Sequence, residues 1–465
     1  MRENFEFKEL NTFQDGGTMQ LKFKSLSLGG IAFLLLGSAS TSYAADLGGD
    51  CCSDLEERVA VLEATTARKG NRKVSLVVSG SVNTAIFAWD DGIDSDVYVG
   101  DDNSYTISNV LRFHGSAKIN SEWTAGYKIA IDILGDGSGG AILGINQAND
   151  DASLLPGINQ TESYMYVENK QLGRLSWGFL SGAADNSAAL VDPSGSYWAS
   201  LAPIFRGQGF FLRNSNGATY NNTAGLTGTA STVGSGTNLN WGDFAQCQTL
   251  GGVGVGTDCN GLSTNGVLYD SPVIAGFQLS VGWGEDDYLD VALKYNDTIN
   301  DFLVSAAAAY TDNSDNNSET EYYQVQVGFL HQPTGIFAIG SYGNEVRDTF
   351  NGTARPVGME KNAEAYWFKA GIKQQYNSLG KTAIFADYGE YKDQFGVNIF
   401  NAGVTGSTYS RYGVGINQWI DAASMQIYGR WVRFELDVEG TGAVVNDLNN
   451  AEDLDLFVLG GVIFF

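Results

Sequence analysis

The sequence predicts an all-β protein, a transmembrane antiparallel β-barrel of 16 strands preceded by a short N-terminal α-helix. Three observations predict this fold. After Val74, apolar residues recur at every second position in segment after segment, which is the period of a β-strand. The connections between these segments alternate between short and long, as they do in membrane-spanning barrels. Finally, 59 Gly, 25 Phe, 22 Tyr and 9 Trp among 465 residues suit many strands joined by tight turns.

The composition excludes several classes of protein. The chain has 53 Asp and Glu against 27 Lys and Arg, and its formal net charge of -26 is opposite in sign to the surface that nucleic-acid binding requires. Two histidines are too few for a three-histidine zinc site, and we expect neither a metal nor a cofactor. The aromatic content is too high for an acidic disordered chain.

Residues 1–44 predict a non-native extension followed by a signal peptide. Lys22 and Lys24 form a basic region, an apolar run extends from Leu26 to Leu36, and small residues precede a cleavage position after Ala44. A membrane-spanning helix needs about 20 apolar residues, so this run is too short to be an anchor. We therefore expect the mature chain to be secreted.

Residues 45–73 predict a periplasmic segment that contains one short amphipathic helix, at 54–68. Leu55, Val59 and Leu62 repeat at the spacing of a coiled-coil seam over about two heptads. Two interpretations stay open. The helix lies on its own protein, or it joins chains in a short oligomeric coiled coil.

Residues 74–465 predict the barrel. Its strands are expected at 74–89, 105–120, 124–135, 161–169, 174–181, 262–270, 275–284, 288–296, 301–311, 320–331, 335–344, 363–376, 381–392, 407–418, 424–436 and 452–465. The even-numbered connections are short and most odd-numbered ones are long and polar, an order that a soluble β-sandwich has no reason to show. The third long connection, residues 182–261, is by far the longest. Strands at 204–213 and 238–244 inside it would raise the count to 18, and this alternative stays open.

An ordered set of short segments runs along residues 45–465. It includes Asp54-Leu55-Glu56-Glu57-Arg58-Val59-Ala60, Tyr269-Asp270-Ser271-Pro272, Gly282-Trp283-Gly284-Glu285-Asp286-Asp287, Asp290-Val291-Ala292-Leu293-Lys294-Tyr295 and the terminal Phe465. With this set the chain resembles the general porins of alphaproteobacteria, which are trimeric 16-stranded barrels. The resemblance implies an outer-membrane channel for passive diffusion of small hydrophilic solutes and ions, surrounded by lipid and lipopolysaccharide, with no catalysis. It also implies that the third external loop, 182–261, folds into the lumen as a constriction.

Charged residues at two kinds of position are candidates for the constriction, because rings of charge set ion preference in a channel. The alternation predicts inward side chains for Arg112, Lys118, Lys128, Lys369 and Lys373, and the candidate constriction loop carries Asp185, Asp192, Arg206 and Arg213. The alternative for each is that it merely solvates a water-filled interior. Acidic loop tips, among them Asp90, Asp315 and Asp447, favour a weak preference for cations.

Cys247 and Cys259 lie 12 positions apart in the predicted constriction loop, and we expect them to form a disulfide in an oxidising compartment. A reactive thiol pair is the weaker interpretation, because no basic cluster flanks them. The pairing of Cys51 and Cys52 stays open.

Two other functions were weighed against a diffusion channel. An outer-membrane barrel enzyme would need a catalytic cluster, but the sequence has no Gly-x-Ser-x-Gly, and His114 and His331 lie on different predicted strands. A structural barrel would tether the envelope through its N-terminal helix. Deletion of residues 46–70, followed by an assay of envelope attachment, separates that function from a channel.

Overall fold

The computed structural model describes residues 73–101, 109–134, 146–147, 157–189, 191–220, 239–247, 252–253, 257–259, 263–285, 288–313, 319–350 and 353–465. The predicted extension and signal peptide, and the predicted helix at 54–68, lie outside these residues. The described residues belong to one compact unit, Lys73–Phe465.

The unit is built almost entirely from antiparallel strands. These are β1 (Val77–Asp90), β2 (Ser95–Asp101), β3 (Val110–Lys118), β4 (Trp123–Leu134), β5 (Gly157–Asn169), β6 (Gly173–Ser181), β7 (Gln246–Cys247), β8 (Gly252–Val253), β9 (Ser263–Asp270), β10 (Phe277–Gly284), β11 (Leu289–Ile299), β12 (Phe302–Asn313), β13 (Thr320–His331), β14 (Ile336–Arg347), β15 (Thr349–Phe350), β16 (Thr353–Ala354), β17 (Asn362–Gln374), β18 (Thr382–Lys392), β19 (Val404–Ile420), β20 (Met425–Gly440) and β21 (Leu454–Phe464). Short helices interrupt the connections: α1 (Tyr197–Gln208), α2 (Val397–Asn401), α3 (Ala443–Leu448) and the 3₁₀ turns Trp241–Phe244 and Asp421–Ala423.

The main sheet contains 17 strands and closes on itself. Each strand pairs with its neighbour along the chain, and β21 pairs with β1 from Phe464↔Ser81 to Asp455↔Asp90. Without β2, sixteen strands make the wall, and each of them overlaps one of the sixteen predicted runs. Each of these sixteen strands has a partner on both sides, which is the condition for a sheet that spans a membrane.

The strand β2 was not predicted. It extends along β1 at Thr84–Asp90, beyond the part of β1 (Val77–Ser81) that pairs with β3. The sequence there is rich in aspartate, which favours loops and outweighs the alternation of Val97 and Val99 about Tyr98.

The 18-strand alternative is wrong. We call residues 182–261 the inner segment, and none of its described residues adds a strand to the barrel. The first half of the predicted strand at 204–213 belongs to α1, and the predicted strand at 238–244 ends in the 3₁₀ turn Trp241–Phe244. Phe210 and Trp241 are nearly fully buried, so the apolar pattern that suggested strands reflects packing inside the barrel.

Outward and inward side chains have opposite character along the wall. On β10, Phe277, Leu279, Val281 and Trp283 are exposed on the outer surface, while the residues between them are buried inside. An apolar exterior with a polar interior is the pattern of a barrel surrounded by lipid. Among the described residues, no helix has both the length and the apolar composition to cross a membrane.

Short turns close one rim of the barrel and long connections occupy the other. Gly335, in the turn between β13 and β14, has φ of +70°, and a Cβ there would lie 1.9 Å from the Lys373 carbonyl oxygen. Only glycine fits such a turn without displacing the backbone. The inner segment starts from the opposite, long-loop rim.

Candidate channel constriction

The first part of the inner segment is held against the inside of the barrel by hydrogen bonds. On β11, Asp290 accepts a hydrogen bond from the Ala184 amide at 2.8 Å. On β13, the side chain of Gln324 donates to the Ala184 carbonyl at 2.6 Å, and that of Gln326 donates to the Val191 carbonyl at 2.7 Å. These wall residues therefore satisfy backbone groups that would otherwise be buried without partners.

The next contact is a buried ion pair between the inner segment and β17. Lys369 Nζ lies 2.8 Å from Asp192 Oδ2, and both side chains are 0% exposed. Lys369 also donates to Ser200 Oγ at 3.2 Å, and its ammonium lies 4.5 Å from the centre of the Phe385 ring. Removing one partner of such a pair would leave the other as an uncompensated buried charge.

Asp192 is kept ionised by this environment. Burial alone would raise the pKa of its carboxyl group. The positive charge of Lys369, and hydrogen bonds from Lys369 and Ser194, outweigh burial and hold the pKa below its ordinary value.

Arg430 on β20 makes a second connection to the inner segment. It donates to the carbonyl oxygens of Ala199, at 3.3 Å, and Ser200. Its other terminal nitrogen donates to both oxygens of Asp387, at 2.8 and 2.9 Å, and Asp387 also accepts from the Trp367 indole at 3.1 Å. The inward faces of β17–β20, which we call the anchoring wall, thus hold the inner segment through charged groups.

The inner segment reaches the short-turn end of the barrel. Lys373, near the end of β17, donates to the Ser194 carbonyl at 2.5 Å. Trp198 contacts Phe464, with ring centres 5.8 Å apart, and Phe464 ends the last strand. The chain that enters at the long-loop rim therefore extends through most of the height of the barrel before α1.

The structure brings three of the predicted site residues together, Asp192, Lys369 and Lys373. Asp185 lies near the start of the inner segment and accepts a hydrogen bond from the Ser181 hydroxyl. Arg213 lies at the long-loop rim, where it pairs with Asp91 at 3.0 Å. Arg206 belongs to α1, and its side chain lies outside the described part of the chain.

The other predicted basic residues lie on β3 and β4. Arg112 and Lys128 occupy inward positions and are partly exposed, and Lys128 pairs with Glu162 of β5 at 2.6 Å. Lys118 is exposed at the short-turn end of β3. We call the inward faces of β3–β5 the open wall, because Arg112, Lys128 and Glu162 there stay partly exposed, whereas Lys369 and Arg430 of the anchoring wall are covered by the inner segment.

The sequence analysis missed Asp387 and Arg430. Both lie inside predicted strands, at 381–392 and 424–436, and the alternation would have assigned them inward because Ile384, Tyr388 and Ile427 face outward. The signal that could have found the pair is opposite charge at inward positions two strands apart, because β19 lies between β18 and β20. It could not have found that they bind the inner segment.

The predicted disulfide is confirmed, because Cys247 and Cys259 are bonded and their Cα atoms are 5.5 Å apart. Both cysteines are buried against Tyr322 of β13. The Tyr322 hydroxyl donates to the Thr257 carbonyl at 2.6 Å, so the disulfide and the wall hold the same short stretch of the inner segment.

Replacing both cysteines by serine is expected to loosen this stretch while the barrel stays folded. A cross-link that closes a loop of this length contributes about 3 kcal/mol in the chain-entropy model. Limited proteolysis should cut the double variant between residues 247 and 259 faster than the native protein. Equal cleavage rates, or two thiols that are alkylated in the native membrane, would contradict the prediction.

Within the described ranges, no group of three or more His, Cys, Asp and Glu side chains could hold a metal ion. The polar groups of the interior are instead arranged as ion pairs and as hydrogen bonds to backbone. This arrangement holds the inner segment against the anchoring wall and leaves the charged side chains of the open wall opposite it.

Comparison with known proteins agrees with this geometry. Residues 32–435 match the family model described as Gram-negative porin. No curated protein matches the chain significantly.

Among solved structures, the anion-selective porin from Comamonas acidovorans is 16% identical, with a TM-score of 0.51, over 84% of this chain and 100% of that chain. The OmpF complex with daunomycin from Salmonella typhi is 12% identical, with a TM-score of 0.46, over 85% and 99%. A trimer form of OmpT from Vibrio cholerae is 11% identical, with a TM-score of 0.45, over 84% and 99%.

Proposed function

Because this chain belongs to the Gram-negative porin family, we propose that its channel narrows between the inner segment and the open wall. The chain is an outer-membrane channel for passive diffusion. Its family indicates a channel rather than an enzyme. The observation that carries the proposal is the buried Lys369–Asp192 pair, which holds the inner segment on one side of the barrel. Solutes then pass along the other side.

The proposed constriction assigns different roles to the predicted site residues. Arg112 and Lys128 line the pathway, with Glu162 as the acidic member on the same wall. Lys369 and Lys373 position the inner segment and do not contact solutes, because they bind Asp192 and the Ser194 carbonyl. The remaining candidates lie at the two rims (Lys118 and Arg213), at the entrance (Asp185) or on α1 (Arg206).

Charge reversal at Lys128 tests this pathway. Lys128→Glu places an extra acidic charge beside Glu162 in a narrow passage, where nearby charges act more strongly than loop tips. We expect the reversal potential in a KCl gradient to shift toward cations at low salt, and to shift less at high salt, because screening acts over about 10 Å at 0.1 M.

Lys118→Glu is the matched control. It makes the same charge change at an inward position of the neighbouring strand, but at the exposed short-turn rim. Its effect on the reversal potential should be much smaller. Equal shifts in the two variants would show that the mouth and rim charges, and not the open wall, decide ion preference. The weak cation preference expected from the acidic loop tips stays a prediction for the native channel.

We further propose that the protein is a homotrimer, an alphaproteobacterial member of the family that reaches the outer membrane by a signal peptide. The ordered sequence segments support the subgroup, and the spacing of Leu55, Val59 and Leu62 supports association through the N-terminal helix. Lipid and lipopolysaccharide would surround the trimer at the exposed apolar face.

Deletion of residues 46–70 is expected to weaken the trimer without changing the strand content. Light scattering in mild detergent should give a trimer mass for the full chain and a smaller mass, or a concentration-dependent one, for the deletion. Circular dichroism checks that the barrel is intact. A full chain that is monomeric while its β spectrum is retained would exclude the trimer.

A further inference from the structure

Arg411 is the buried cation of the anchoring wall that does not bind the inner segment. It is an inward residue of β19, opposite Gly389 on β18 and Phe434 on β20, and it is 0% exposed. The guanidinium lies over Gly389, because a Cβ on that glycine would be 2.7 Å from Arg411 Cζ. The absence of a side chain at Gly389 therefore makes the space that the guanidinium occupies.

The nearest carboxylate does not satisfy this guanidinium. Arg411 Nη1 is 3.8 Å from Asp387 Oδ2, which is beyond hydrogen-bond distance. Asp387 already accepts two hydrogen bonds from Arg430 and one from the Trp367 indole. Nε, Nη1 and Nη2 of Arg411 make no well-formed hydrogen bond in the described part of the chain, and the hydroxyl of Tyr391 is a polar neighbour that interacts with the guanidinium. The ring of Tyr391 covers one side, with its centre 5.6 Å from Arg411 Cζ.

The charges of the cluster do not balance. Arg411 shares the buried anchoring wall with Lys369 and Arg430, and the carboxylates among them are Asp192 and Asp387. Among the described side chains that contact Asp192 or Asp387, three cations thus face these two anions. Arginine does not release its proton in proteins, so the excess positive charge at Arg411 is not removed by titration of that residue.

A second unsatisfied group lies on the same face. Tyr409 is two positions from Arg411 on β19, it is buried, and its hydroxyl has no hydrogen-bond partner among the described residues. Its ring stacks on Tyr391 at 5.1 Å and is covered by Trp241 of the inner segment at 5.6 Å. Both unsatisfied groups are hydrogen-bond donors. An anion is a ligand that only accepts hydrogen bonds.

We propose that one small monovalent anion, of the size and charge of chloride, binds at Arg411 between the anchoring wall and the inner segment, with the Tyr409 hydroxyl as a second donor. One negative charge balances the cluster, whereas a multiply charged oxyanion would leave it negative. The site lies behind the inner segment and is separate from the proposed solute pathway. Its anion stabilises the closure of the inner segment on the wall and does not act as a permeating ion.

Two measurements on the full-length protein in detergent test this proposal. Crystals grown in sodium bromide should show an anomalous peak at hydrogen-bond distance from the Arg411 guanidinium. Thermal unfolding at fixed ionic strength should occur at a higher temperature in chloride than in gluconate, a much larger monovalent anion. Arg411→Met should remove this difference, and Tyr409→Phe, which keeps the ring, should reduce it.

Arg433→Met is the control, because Arg433 lies on the outer face of β20 and pairs with Asp455 outside the cluster. It should keep the full difference between chloride and gluconate. A water molecule in place of bromide at Arg411, or equal unfolding temperatures of the native protein in the two salts, would overturn the proposal. If Arg411→Met does not fold, the Tyr409→Phe protein and the bromide peak decide the question alone.

Discussion

Replacing Lys369 by methionine is expected to release the inner segment from β17 and to raise the single-channel conductance. The substitution leaves Asp192 as an unpaired carboxylate at a position that is 0% exposed. Breaking a buried ion pair on one side costs about 3–5 kcal/mol. The inner segment can avoid this cost by moving Asp192 into the water of the lumen, which widens the passage. Conductance in planar bilayers measures the result, together with the unfolding temperature.

Lys361→Met is the matched control for this variant. Lys361 pairs with Asp348 at 2.8 Å, but both side chains are about half exposed, at 43% and 54%. Exposed pairs contribute little, so neither conductance nor unfolding should change measurably. The double variant Lys369→Met with Asp192→Leu removes both charges and should recover much of the lost stability. A single variant with native conductance and native stability would show that the pair does not hold the inner segment.

The pH dependence of this contact follows from the lowered pKa of Asp192. A carboxyl group with a folded-state pKa below its ordinary value of 3.8 contributes stability that is complete above that value. The contribution is lost as pH falls through the lower, folded-state pKa. The carboxyl group of Asp192 is therefore expected to add no pH dependence to this contact across the neutral range.

Replacing Arg430 by methionine is expected to have an effect of similar size. The variant loses the hydrogen bonds to the Ala199 and Ser200 carbonyls, and it leaves Asp387 with Trp367 and the more distant Arg411. The loss of a buried bidentate pair again costs about 3–5 kcal/mol. The unfolding temperature should fall, and proteolytic cleavage near α1 should become faster.

Arg433→Met separates this effect from the general loss of an arginine. Arg433 lies on the same strand and pairs with an aspartate at 2.5 Å, but it faces outward and is partly exposed. Replacing Arg433 should leave α1 as resistant to proteolytic cleavage as it is in the native protein. The Lys369 and Arg430 variants should also combine in a non-additive way, because both residues contact Ser200. Additive effects would indicate that the two contacts act independently.

The sequence alone predicts the wall of this protein well. Alternation along β10 or β13 requires no knowledge of neighbouring strands, because lipid on one side and water or polar groups on the other impose the same period on every strand. Whether a connection is odd-numbered or even-numbered depends only on chain order. The alternation of long and short connections therefore predicts the two rims, and it predicts the rim from which the inner segment starts. The exception is β2, where aspartates outweighed the alternation of Val97 and Val99.

The candidate site was predictable only in part. The inward positions of Lys369, Lys373, Arg112 and Lys128 follow from alternation, and the pairing of Cys247 with Cys259 follows from their common loop. The path of the inner segment does not follow from any local pattern. Most of its described residues are covered inside a closed wall, where helix, turn and extended segments lose the periodicity that marks a surface.

What the sequence determined by itself is therefore the position of the sixteen wall strands, the apolar exterior, the rim that carries the long connections and the resemblance to porins. Only the tertiary structure decided which charges meet. Asp192 and Lys369 are 177 positions apart in the chain, and Asp387 and Arg430 are 43 apart. Their attraction depends on distance and on exclusion of water, both of which arise only when the inner segment lies against the closed wall.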